Sequence, residues 1–152
     1  MTTPRASSPG GLPEVTADRP RPLTTAALDL LERCETELRA AAAAPEPDER
    51  YVHAHLSALR AGAALVAVHG RPTAPRRSQP RSVWEMLPRL DPDLEVWSRR
   101  FASTAPVRAR VEAGRTGVVD AAAADALLAD AVAFHRVVEA RLGLSRLHPL
   151  AS

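Results

Sequence analysis

The sequence predicts an all-α fold, an up-and-down helical bundle, and three observations predict it. Apolar residues recur at helical spacing in three long segments, while no stretch alternates as a strand does. Each segment is bracketed by capping residues and by proline or glycine. Hydrophobic residues make up 45% of the chain but aromatic ones only 3%, so the core must come from Leu, Val and Ala stripes on closely packed helices. At 152 residues the chain suits one domain.

Taken in order, residues 1–22 hold five prolines, paired glycines and several Ser and Thr. Such a segment buries too little to offset its ordering entropy and predicts a disordered tail. The bundle is expected over 23–143. Thr24 or Thr25 caps the first helix, whose buried side is marked by Leu28, Leu31 and Leu38. Cys34 lies beside that stripe and reads as packing rather than as a nucleophile. Pro45 and Pro47 enforce a turn.

The second helix, Arg50 to His69, is the centre of the arrangement. Asp48 and Glu49 place negative charge at its start, and Gly70 and Pro72 stop it. At 100° per residue, Val52, Leu56, Leu59, Ala63 and Val66 share one face, the expected buried stripe. Arg50, His53, Ser57 and Arg60 fall on the polar side, with Tyr51, His55 and Gly62 at the edge. A proline-stiffened basic loop follows over 70–82, with Arg71, Arg76, Arg77, Arg81 and no acidic residue.

Ser82-Val83-Trp84-Glu85 is a capping box that opens a short helix. Asp91-Pro92 starts another, carrying Leu94, Trp97 and Phe101, which Pro106 is expected to end. Trp84 and Trp97 read as core anchors. Asp120 caps the last long helix, whose stripe runs Leu127, Leu128, Ala131, Phe134, Val138 and Leu142, with His135 beside it. Residues 144–152 are expected to form a flexible C-terminal tail. The total is three long helices plus one or two short ones.

Composition narrows the function. Net charge is +2, compatible with nucleic acid without requiring it. Lysine, asparagine and isoleucine are all absent, which points to a GC-rich genome and makes the arginine excess partly a codon effect. One cysteine allows no internal disulfide, and His53 and His55 point to different sides of a helix, so neither a metal site nor a cofactor is expected. No secretory h-region or membrane-spanning run is visible, so a cytoplasmic location is expected, with no membrane partner.

RYVHAHLSALRAGAAL (Arg50–Leu65), PRSVWEML (Pro80–Leu87) and DLEVWSRRFA (Asp93–Ala102) together resemble the HEPN superfamily, and within it a family of short standalone actinobacterial proteins. The resemblance spans roughly residues 24–143 and implies a helical bundle that works as a homodimer. Catalytic HEPN proteins are metal-independent ribonucleases with an Arg-x4–6-His motif, onto which Arg50 and His55 map. In that chemistry histidine moves the proton and arginine steadies charge growing on phosphate. Chance alone yields about two such spacings from five histidines and twenty arginines, and two occur, the other being Arg141 with His148. Tyr51 stands where active members carry a small polar residue. A regular helix also sets Arg50 and His55 about 140° apart.

The preferred expectation is a bundle that binds RNA or nucleotide through Arg50, Arg60 and the arginines of the 70–82 loop. The alternatives are an endoribonuclease using Arg50 and His55, or a dimerisation or protein-interaction module.

Overall fold

The computed structural model describes residues 22–70 and 82–144. The N-terminal tail, the loop arginines Arg71, Arg76, Arg77 and Arg81, and the C-terminal tail after Leu144 lie outside the described residues. Those described form five α-helices: α1 (Thr25–Ala43), α2 (Pro47–His69), α3 (Val83–Leu90), α4 (Glu95–Glu112) and α5 (Ala121–Arg141). A 3-10 turn at Pro92–Leu94 leads into α4. The expected all-α bundle is what the chain forms.

The caps follow the sequence signals. Thr24 Oγ1 accepts from Ala27 N at 3.1 Å, Ser82 Oγ from Glu85 N at 3.3 Å, and Asp120 Oδ1 from Ala123 N at 2.7 Å. Each satisfies a backbone N–H that the first helical turn leaves without a partner. Asp48 does more than favour the helix dipole. Its carboxylate accepts from Gly117 N (2.8 Å) and Val119 N (3.0 Å), tying the α4–α5 connection to the start of α2.

α2 lies at the centre, packed by α1, α3, α4 and α5. Glu37 pairs with His53, Arg50 with Asp125, and Arg100 with Asp130. The α1–α2 turn is short, Arg141 at the end of α5 pairs with Asp91 just before α4, and Leu28 to Glu35 meet Leu144 to His135 across one groove. These contacts set α1 antiparallel to α2 and α5, and α4 antiparallel to α5.

The buried face of α2 differs from the predicted stripe. Of Val52, Leu56, Leu59, Ala63 and Val66, Val66 alone is fully buried, and the other four are half-buried. The sealed positions are Ala54, Ala58, Ala61, Ala64 and Leu65, together with Tyr51, His55 and Gly62 from the predicted edge and Ser57 from the predicted polar side. The reason is the number of neighbours. With four helices packed on it, α2 is buried over more than one stripe, and its small residues mark where neighbouring backbones come closest. Ser57 meets this burial by donating to Ala54 O at 2.9 Å.

Two further expectations are corrected. Leu28 is 48% exposed rather than buried, because the α1 face turned to the core runs through Ala27, Leu31 and Cys34. Pro106 does not end its helix: α4 continues to Glu112. Pro106 is exposed, so the carbonyl left without an N–H partner faces water, while Phe101, Thr104 and Arg108 hold the inner side in place. α4 is thereby a fourth long helix.

Four of the five aromatic residues form one cluster. Trp84 stacks on Phe101 at 5.2 Å between ring centroids, and Phe134 lies 5.2 Å from Phe101 and 5.4 Å from Trp97. Gly62 lets α3 approach α2 closely. A Cβ there would lie 2.7 Å from Val83 Cγ1 and 3.2 Å from Leu87 Cδ1. Gly62→Val is therefore expected to lower unfolding stability by about 1–3 kcal/mol in denaturant titration, through overpacking at the α2–α3 contact.

Candidate functional site

The two candidate catalytic residues sit in different surroundings. Arg50 lies one turn into α2, where its guanidinium spans two elements. Nη1 contacts Asp125 Oδ1 at 2.5 Å, and Nη2 donates to Ala44 O at 3.0 Å. Its charge is neutralised by a carboxylate and its fork fastens the α1–α2 turn to α5.

His55 is 1% exposed. Its Nε2 lies 3.1 Å from Phe101 O, its Nδ1 lies 3.2 Å from Arg108 Nη1, and Trp84 meets the ring edge-on at 6.1 Å. These partners fix the proton. A carbonyl can only accept, so Nε2–H donates to Phe101 O; a guanidinium can only donate, so Nδ1 accepts from Arg108. Burial pushes the His55 pKa down to about 4. The Phe101 hydrogen bond opposes that shift, and the Arg108 charge adds to it. At neutral pH the imidazole is uncharged, in one tautomer, with both nitrogens committed.

Arg50 and His55 thus share no partner, and the arginine beside His55 is Arg108. Arg108 also pairs with Glu112 at 3.6 Å. Around them runs a polar network. Thr104 Oγ1 donates to Phe101 O at 2.8 Å, and Thr104 lies close enough to Tyr51 to influence its hydroxyl. Burial raises the Tyr51 pKa, with Thr104 and the charges of Arg100 and Arg110 pulling the other way. The network fastens α2 to α4 from Tyr51 to Arg108, with the Tyr51 side chain buried between them.

Sequence reasoning missed Arg108 because the expected helix end at Pro106 separated it from Phe101. On an unbroken helix Phe101, Thr104 and Arg108 fall at i, i+3 and i+7, one face, and that spacing was the available signal.

The remaining candidates are dispersed. Arg60 is half-exposed on α2 and has no hydrogen-bond or ion-pair partner among the described residues. His53 Nδ1 lies 2.6 Å from Glu37 Oε2, and His69 Nδ1 donates to Leu65 O at 2.9 Å. No group of three or more His, Cys, Asp or Glu among the described residues is placed to hold a metal ion. Among those residues, no helix is long and apolar enough to cross a membrane.

A family model described as SAV_6107-like HEPN matches residues 40–139. That span takes in α2, α3, α4 and nearly all of α5. Neither comparison with curated proteins nor comparison with solved structures finds a match.

Proposed function

Because the chain belongs to the SAV_6107-like HEPN family, and because His55 is held neutral inside the bundle, we propose that it is a non-catalytic HEPN protein that binds RNA or a nucleotide, as a homodimer. The state of His55 carries this reading. General acid–base catalysis needs an imidazole that titrates near neutrality within reach of the substrate. His55 donates to Phe101 O, accepts from Arg108 and is closed to solvent.

Binding falls to Arg60 on α2 and to Arg71, Arg76, Arg77 and Arg81, which follow it in a stretch free of acidic residues. Arg50 contributes less, since its guanidinium is paired with Asp125. Phosphate contacts by arginines release counterions and so make affinity depend on salt.

The test is fluorescence anisotropy of a short single-stranded RNA. Raising salt from about 50 to about 200 mM is expected to weaken binding by one to two orders of magnitude for a handful of phosphate contacts. Joint replacement of Arg71, Arg76, Arg77 and Arg81 by alanine is expected to remove most of that dependence. Affinity indifferent to salt contradicts the binding reading. RNA cleavage in EDTA that is lost in His55→Gln contradicts the non-catalytic one.

A further inference from the structure

Between α1 and α5 lies an open groove of about 270 Å³ that plays no part in the proposed RNA contact. Leu28, Leu31 and Leu144 supply its apolar surface, and Leu28 is among the most exposed large hydrophobic side chains described. Leu144 is held there by its N–H donating to Glu139 O at 2.8 Å. The polar edge is acidic. Glu32 and Glu35 come from α1 and Glu139 from α5, with His135 between them. His135 Nδ1 lies 3.2 Å from Glu139 Oε1, and its Nε2 lies 3.8 Å from Glu35 Oε1. One imidazole therefore faces two carboxylates, Glu35 and Glu139, and Glu32 adds a third acidic group to the groove's lining. The charges of Glu35 and Glu139 are felt in the core: burial first, then those two carboxylates, push the Cys34 thiol up to about 12.

We propose that this α1–α5 groove docks a basic amphipathic segment of a partner protein, with an arginine or lysine against Glu32 and Glu35 and an aliphatic neighbour on Leu28 and Leu31. Charge complementarity selects this occupant. Phosphate is repelled by the three glutamates. A second copy meeting the same face across a two-fold axis brings two acidic faces together. The groove is smaller than ordinary cofactor pockets, which begin near about 300 Å³, and it suits one or two anchoring side chains of a helix laid across it.

The experiment uses the full chain and a fluorescent synthetic helical peptide with leucines at i and i+4 and an arginine at i+3. A control peptide carries glutamate in place of the arginine. Saturable binding of the arginine peptide alone is expected, weakened tenfold or more by Leu28→Ser and by the Glu32→Gln, Glu35→Gln pair. These three positions are not fully buried, so thermal melts of the variants are expected to match the parent. Three results overturn the proposal. The first is no saturable binding, or binding unmoved by the variants. The second is self-association in light scattering that Leu28→Ser abolishes, which assigns the groove to a second copy. The third is peptide binding that emerges only after residues 145–152 are deleted, which assigns it to the chain's own terminus.

Discussion

Phe101→Ala is expected to lower the unfolding free energy by about 3–5 kcal/mol, the range for deleting a fully buried aromatic ring. Phe101 is wholly buried and its ring touches Trp84, Trp97 and Phe134, so its removal opens a cavity at the meeting point of α3, α4 and α5. A domain of this size is ordinarily stable by about 5–15 kcal/mol, so the variant stands near its folding threshold. Val96, on the same helix but 76% exposed, provides the contrast: Val96→Ala is expected to change stability by no more than about 0.5 kcal/mol. Denaturant midpoints measure both. A Phe101→Ala change below about 1 kcal/mol contradicts the aromatic cluster as the centre of the core.

Acid is expected to destabilise the protein through His55. The ordinary imidazole titrates at 6.5, and burial lowers this one to about 4. Between those values the unfolded chain binds a proton that the folded chain refuses, so stability falls as pH falls. Above 6.5 neither state is protonated at His55 and the contribution is flat. Below about 4 both are protonated and the loss is complete, on the order of 3 kcal/mol. His55→Gln keeps an N–H for the Phe101 carbonyl but cannot take up a proton. Its stability is expected to vary less with pH between 6.5 and 4 than that of the parent, whatever its value at pH 7. Carboxylates in the ion pairs titrate in both proteins, so the difference in slope reports His55. Equal slopes contradict the assignment.

The fold was legible where chemistry is local. Thr24, Ser82 and Asp120 cap the helices the sequence assigned to them, and Gly70 and Gly143 take the positive φ values of 78° and 74° that helix ends favour in glycine. What failed depended on tertiary neighbours. The rotation of α2 could not be read from side-chain size, because Ala54, Ala58 and Ala61 are buried by four approaching helices. Pro106 inside α4 is tolerated because its exposed side loses only a solvated hydrogen bond, which depends on what packs on the other side. The candidate site shows the same limit. The family resemblance paired Arg50 with His55, whereas folding brings Arg108, fifty-three residues away, to the imidazole. That partner decides whether the histidine is free to move a proton.

The most direct test of a buried, neutral His55 is a pH titration of its imidazole by ¹⁵N NMR, with His55→Gln used to assign its signal. A single neutral tautomer protonated at Nε2 is expected at pH 7, with Nδ1 unprotonated and the midpoint shifted down to about 4. A midpoint near the ordinary 6.5, or exchange between tautomers at neutral pH, contradicts it and restores His55 as an acid–base group.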